Sequence, residues 1–135
     1  MARRYNLCGK NLRENIEADM YVDQITDVFE EMILARFEKD ENRRKELLNR
    51  FLTGSLPKNM KYFEERLKSN NGHLVSELLT YADLYLYTIL EWWFWNNDSK
   101  DGFYGSNPYL KALDKEITSN PKISNYRQSR PVTDF

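Results

Sequence analysis

Only one cysteine, Cys8, stands in these 135 residues, so the chain holds no internal disulfide and has to fold by packing. Its only histidine, His73, leaves a histidine-based metal site or catalytic triad little to be built from. A Cys8/His73 nucleophile pair would have to bring two separate loops together, with no orienting motif to do it. Four prolines and five glycines are too few for a loop-rich scaffold, and they stand where helices would start or stop. No segment alternates convincingly between apolar and polar residues as a half-buried strand does. An excess of one charge is lacking too. The 20 basic and 21 acidic residues leave a net charge of −1, with no general pull toward nucleic acid or an anionic membrane. The most apolar run, Leu84 to Trp95, falls short of the roughly 20 residues that a bilayer crossing needs. Phosphate loops, dinucleotide fingerprints, zinc spacings, repeats, lipidation motifs and a secretory leader are all missing. These absences point to a cytoplasmic protein with no nameable catalytic or metal-binding residue, no nucleic-acid partner and no membrane partner.

What is present is centred on the stretch from Leu78 to Trp95, which holds all three tryptophans and, after Asp83, a single charged residue, Glu91. A helix that is apolar on every side must be surrounded by other protein, so this segment is predicted to be the central helix of an all-α domain. Its start is marked. Thr80 is placed to accept from the free N–H groups of the first turn, and Asp83, three residues on, to reach back to the N–H of Thr80. The carboxylate also suits the positive end of the helix dipole. Leu79 and Leu84 have the spacing of a hydrophobic staple. Aromatics at helical spacing are mostly core, with a few rings left to face a pocket.

Around this helix the chain divides into a short lead, residues 1–10, and one helical domain, residues 11–135, large enough to bury a core. The lead reads as a helix end closed by Gly9 in the left-handed conformation. Asn11, with Glu14 three residues later, caps a helix predicted to run to about Glu38. Ile16, Met20, Tyr21, Ile25, Val28, Phe29, Met32, Ile33 and Phe37 form its apolar stripe. Asp19, Asp23 and Asp27 make an acidic ridge on the adjacent face, suited to a cation, an amine or a partner's arginine. A second helical region, from about Asn42 to Lys68, has Leu47, Leu48, Phe51, Leu52, Leu56, Met60, Phe63 and Leu67 as its buried stripe. Gly54 and Pro57 interrupt it, so either Ser55 caps a new helix or one helix bends. Asn70-Asn71-Gly72 is a turn, and Asn96 to Ser106 reads as a polar loop. Asn107-Pro108 and Asn120-Pro121 each read as cap plus first residue of the last two helices, before an extended tail from Arg130 to Phe135.

Taken in order, several segments resemble the C-terminal domain of cytosolic glutathione S-transferases, most closely the sigma class that includes haematopoietic prostaglandin D synthases. They are Leu7-Cys8-Gly9-Lys10-Asn11 as the interdomain hinge, Val22 to Phe29 as the first helix, and Gly72-His73-Leu74-Val75 leading into Leu79-Thr80-Tyr81-Ala82-Asp83-Leu84. Asn120-Pro121-Lys122-Ile123 and Arg130-Pro131-Val132-Thr133 match the family's ending. Ser76 stands where the family usually has glycine. The resemblance implies a bundle of five or six helices around a buried central helix. It implies that Asp27 reaches across a homodimer interface to the amino group of glutathione, and that Phe29, Ile33, Tyr85, Ile89 and Phe135 line the pocket for a hydrophobic electrophile. Thr80 and Asp83 would be folding determinants. The family's thioredoxin-like domain, whose tyrosine activates the thiol of glutathione, has no counterpart in residues 1–135. Glutathione would be a co-substrate of the complete enzyme, and no cofactor is implied. Two readings compete: the electrophile-binding, dimer-forming half of a transferase used in detoxification, or a non-catalytic helical module that binds proteins or hydrophobic ligands.

Overall fold

The computed structural model describes residues 2–95 and 100–131. A 3-10 turn, Ala2–Tyr5, leads into α1 (Leu12–Phe37), α2 (Glu41–Arg50), a π-helical turn (Phe51–Ser55) and α3 (Leu56–Ser69). Then come α4 (Tyr81–Trp95), α5 (Lys100–Ser106), α6 (Pro108–Ser119) and α7 (Pro121–Ser129). Because α2, the π turn and α3 run on as one bent rod, six rods make the expected all-helical bundle, with no strand among the described residues. Helix α4 lies between α1 on one side and α6 on the other, and α3 closes the bundle against α6. Ile25, Phe51, Phe63, Leu67, Leu74, Leu86, Leu110 and Ile117 are the largest fully enclosed apolar side chains among the described residues.

The entry to α4 is built around one carboxylate. Asp83, with no exposed surface, accepts from the N–H of Leu74 and the N–H of Thr80, each at 2.8 Å. The Thr80 hydroxyl, expected to accept from the first turn, donates at 2.8 Å to Asp83 Oδ2, the oxygen that takes the Thr80 N–H, while the Leu74 N–H goes to Oδ1. The box therefore converges on aspartate and ties the preceding loop to the helix. Nor is α4 enclosed on every side as its composition suggests. Ala82, Leu86, Tyr87 and Leu90 are buried, Tyr85, Ile89 and Trp92 are half-buried, and Thr88 is exposed. One narrow face of the central helix is therefore left uncovered by the described residues.

Helix α1 starts as its sequence indicates: Asn11 Oδ1 accepts from the N–H of Glu14 at 3.0 Å, and the Glu14 carboxylate accepts from the N–H of Lys10 at 2.6 Å. Gly9 does not take the left-handed conformation; Asn6 does, at φ 54°. Glycine is needed at position 9 because a Cβ there would sit 2.4 Å from Glu14 Cβ and 2.8 Å from its carbonyl carbon. That close approach lets the lead dock on two helix starts: Gly9 N–H donates to Asn15 Oδ1 at 3.1 Å, and Tyr81 N–H donates to the Leu7 carbonyl at 2.9 Å. Ile16, Met20 and Phe37, expected in the buried stripe, are 53%, 64% and 64% exposed. Leu48 and Leu52 likewise lie outside the core, because the apolar arc of each helix is wider than the surface the described residues cover.

The rod from α2 to α3 bends instead of restarting. Ser55 makes no capping bond, and the N–H of Leu56 reaches the Phe51 carbonyl in the wider π pattern. The turn at Asn70-Asn71-Gly72 forms as read, with Asn71 at φ 55° and Gly72 at φ 92°. Two expectations fail beyond Trp95. Residues 100–106 form α5, not loop, and Asn107 does not cap α6. Its side chain donates back to the Phe103 carbonyl at 2.9 Å. The cap comes from α3, where Glu64 accepts from the N–H groups of Tyr109 at 2.7 Å and Leu110 at 2.9 Å. A carboxylate here both satisfies free donors and faces the positive helix end. Glu64→Ala is expected to cost about 1–2 kcal/mol in urea denaturation, and Asn107→Ala less; the reverse order would return the cap to Asn107. Asn120 does cap α7, accepting from Lys122 N–H at 3.0 Å.

Candidate functional site

Where α1 passes the π turn, the bundle has a polar cleft of about 420 Å³. Helix α1 contributes Asp27 and Glu31 to one wall; Arg50, from the end of α2, and Lys58, from the start of α3, line the other. Gln24 donates to Asn59 Oδ1 at 2.9 Å, and Asn59 donates to the Ser55 carbonyl at 2.9 Å, fixing both amides in the cleft. Among the described residues the two acids and the two bases are not closed onto one another as ion pairs. The cleft thus presents separated charges of both signs, a geometry complementary to a ligand bearing an ammonium and a carboxylate on one carbon.

Of the acidic ridge, only Asp27 belongs to this cleft. Asp19 accepts from the Tyr81 hydroxyl at 2.6 Å. Burial, and next the Asp19 carboxylate, push the Tyr81 phenol up, so it remains a hydrogen-bond donor across the working pH range. Asp23 is exposed on the same face. Arg50 and Lys58 are the residues that reading the sequence missed. No local spacing relates them to Asp27, since only the bend of the α2–α3 rod carries them to α1.

The expected apolar pocket residues fall between α1 and α4. Phe29 and Ile89 line one crevice, with room for only about 20 Å³. Tyr85 Oη lies 3.2 Å from Thr26 Oγ1, joining the two helices. Ile33, half-buried, follows one turn after Phe29. Trp92 meets Phe29 edge-on, with centroids 5.4 Å apart at 82°, and Arg36 lies over the indole at 5.2 Å. Phe135 lies outside the described residues. Cys8 is a half-buried free thiol in the lead, while His73 Nε2 lies 3.2 Å from the Glu116 carboxylate. No helix among the described residues is long and apolar enough to cross a membrane, and no group of three or more His, Cys, Asp or Glu among them is arranged to hold a metal.

The chain matches the family described as glutathione S-transferase, C-terminal domain, over residues 26–130. It is 31% identical to glutathione S-transferase A2 of Homo sapiens over 95% of this chain and 56% of that protein. It is 25% identical to glutathione S-transferase S1 of Drosophila melanogaster over 99% of this chain and 53% of that one. The prostaglandin synthase D of Nilaparvata lugens superposes with a TM-score of 0.88 at 26% identity, over 98% of this chain and 65% of that chain. A glutathione S-transferase of the hookworm Necator americanus, described as monomeric, does so at 0.82 and 25%, over 99% of this chain and 66% of that chain. The chain therefore spans a little over half the length of the curated relatives. With most of its residues matched in sequence and its helical rods superposed in space, the chain belongs to the glutathione S-transferase C-terminal domain family.

Proposed function

We propose that this chain is the helical half of a sigma-class-like glutathione transferase, holding the γ-glutamyl end of glutathione and an apolar electrophile for thiol conjugation. The carrying observation is the cleft that sets Asp27 across from Arg50 and Lys58. The γ-glutamyl group of glutathione bears an α-ammonium and an α-carboxylate. Asp27 takes the ammonium, and Lys58 with Arg50 the carboxylate, as point-charge and forked donors respectively. In the assembled enzyme this tripeptide is carried by the thioredoxin-like domain of a second subunit, so a homodimer presents the cleft to it. Phe29, Ile33, Tyr85 and Ile89, with Phe135 beyond them, form the wall for the electrophile. The thiol is activated by the thioredoxin-like domain, and this chain contributes binding and orientation, which accelerate a bimolecular attack by bringing its partners together. Likeness to the Nilaparvata lugens and Drosophila proteins supports the sigma assignment. The enzyme is placed in the cytoplasm.

The test is an NMR titration of the chain with glutathione beside its analogue lacking the α-amine. Glutathione is expected to shift the amides of Asp27, Arg50 and Lys58 with a Kd of order millimolar, and Asp27→Ala to weaken it about tenfold, or about 1.4 kcal/mol. The deaminated analogue should be indifferent to that substitution. Equal binding of the two peptides, or shifts that miss this cleft, would refute the assignment.

A second reading, a non-catalytic interaction module, is favoured by one observation. Leu12, Ile16 and Met20 at one end of α1, and Leu34 and Phe37 at the other, stand 53–76% exposed. Both readings need this surface covered, by the rest of a transferase or by another protein. Conjugation of glutathione to an apolar aryl halide by the purified chain would exclude the module.

A further inference from the structure

The turn that ends α3 holds a pair of residues whose chemistry the transferase reading leaves without a use. Asn71-Gly72 is the one place in the chain where glycine follows asparagine. An asparagine side chain is open to attack by the backbone nitrogen of the next residue, and glycine, with no Cβ, leaves that nitrogen least hindered. Asn107 and Asn120 are followed by proline, which has no N–H to give up. Asn11, Asn15 and Asn59 are followed by large side chains, and their own amides are hydrogen-bonded. Asn71 is different: it is exposed, and its amide makes no hydrogen bond among the described residues.

Folding holds the reaction in check. Gly72 N–H donates to the Leu67 carbonyl at 2.8 Å, the long backbone bond of a Schellman helix stop, with Asn71 in the left-handed conformation at φ 55°. The next turn is fastened as well. His73 N–H donates to the Asn70 carbonyl at 3.2 Å, and the Asn70 amide donates to the carbonyls of His73 at 2.9 Å and Ser76 at 3.2 Å. The nitrogen that must attack is therefore occupied until the turn opens, so the rate of attack follows how often it opens. What lies beyond the turn matters to the whole bundle. Leu74 gives its N–H to Asp83, while its carbonyl accepts from Arg66 Nε at 2.6 Å, and Arg66 pairs with Glu17 of α1 at 2.6 Å.

We propose that Asn71 is a site of spontaneous deamidation, gated by opening of the α3 stop, and that its product loosens the loop leading to the Asp83 box. Gly72 N gives up its proton to solvent hydroxide and bonds to the side-chain carbonyl carbon of Asn71. The bond from that carbon to the amide nitrogen breaks, and ammonia leaves with a proton from water, so a cyclic imide remains. Water then opens the imide at one of its two carbonyls, giving aspartate or isoaspartate, with no change of oxidation state. Both products oppose the native turn. Each places a carboxylate at the negative end of the α3 dipole. Isoaspartate also routes the main chain through the former side chain, and the extra methylene draws Gly72 N–H away from the Leu67 carbonyl.

The experiment incubates the 135-residue chain at mildly alkaline pH beside a synthetic peptide of residues 67–76, and follows Asn71 by mass spectrometry of digests. Conversion in the folded chain is expected to be at least tenfold, and less than a thousandfold, slower than in the peptide. Asn70→Ala removes the amide bonds to His73 and Ser76 and should raise the rate in the chain at least threefold, with little effect in the matching peptide. Urea below the unfolding midpoint should act in the same direction, and serves if that variant does not fold. The deamidated chain, separated by its added negative charge, should unfold at lower urea than the unreacted chain, and its isoaspartate form at lower urea than Asn71→Asp. Equal rates in chain and peptide, or a rate indifferent to both Asn70→Ala and urea, would overturn the gate. A chain more than a thousandfold slower than the peptide would overturn the site, and unchanged stability of the deamidated chain would overturn its coupling to the Asp83 box.

Discussion

Replacing Asp83 with alanine is expected to destabilise the fold by about 3–5 kcal/mol, a large share of the 5–15 kcal/mol that holds a domain of this size together. The side chain is fully enclosed and accepts from two backbone N–H groups and one hydroxyl. Alanine leaves all three donors buried, and each stranded amide costs about 1–3 kcal/mol. The damage would not stay local. Leu74 N–H belongs to the loop before α4 and Thr80 N–H to its first turn, so one carboxylate sets both the path into the helix and its direction. Tyr85, Ile89 and Trp92 ride on that helix. Thr80→Val, which keeps the shape and removes only the hydroxyl donor, should cost about 1 kcal/mol. Asp83→Asn keeps one accepting oxygen and should fall between the two. Urea unfolding of the three variants checks the order, and Asp83→Asn serves if the alanine variant does not fold. A loss below about 1 kcal/mol for Asp83→Ala would show that water, or a rearranged loop, takes over the stranded donors.

How far the sequence foretells this architecture depends on the range of each interaction. Asn11 with Glu14, Thr80 with Asp83, and Asn120 with Lys122 are local pairs, and all three were legible because a helix start uses residues within one turn. The α6 start was misread because its cap is Glu64, 45 residues away from Tyr109. Asn107-Pro108 has the right letters, yet Asn107 spends its side chain on Phe103. Gly9 was seen as conformationally special when the actual constraint is steric: Glu14 leaves no room for a Cβ. The candidate site divides the same way. Asp27 stood out as part of a ridge with a fixed spacing. Arg50 and Lys58 did not, since the π turn that swings them toward α1 is a property of the folded rod. Periodicity overstated burial at Ile16, Met20 and Phe37 because it marks every face that something must cover, including those the described residues leave open.

Phe63→Ala should cost about 3–5 kcal/mol, and part of that loss should return when benzene is added. Phe63 has no exposed surface and packs its ring against Tyr62 at 5.9 Å and Tyr21 at 6.5 Å between centroids. It also lines the crevice shared by Phe29 and Ile89, which offers only about 20 Å³ in the native chain. Removing the ring turns that crevice into a cavity with apolar walls, which stays dry and accepts an apolar guest. A guest that binds only the folded form stabilises it by about 2.7 kcal/mol at a hundred times its Kd. The native chain, measured beside the variant by thermal unfolding in benzene-saturated buffer, should show no such gain. That contrast bears on where an electrophile can sit. Under the proposed transferase function, a native interior closed to benzene would leave an apolar electrophile the half-buried edge formed by Tyr85, Ile89 and Trp92. Stabilisation of the unaltered protein by benzene would reverse the conclusion: the space between α1 and α4 would then open on its own, and Phe29 and Ile89 would line an internal pocket instead of its rim.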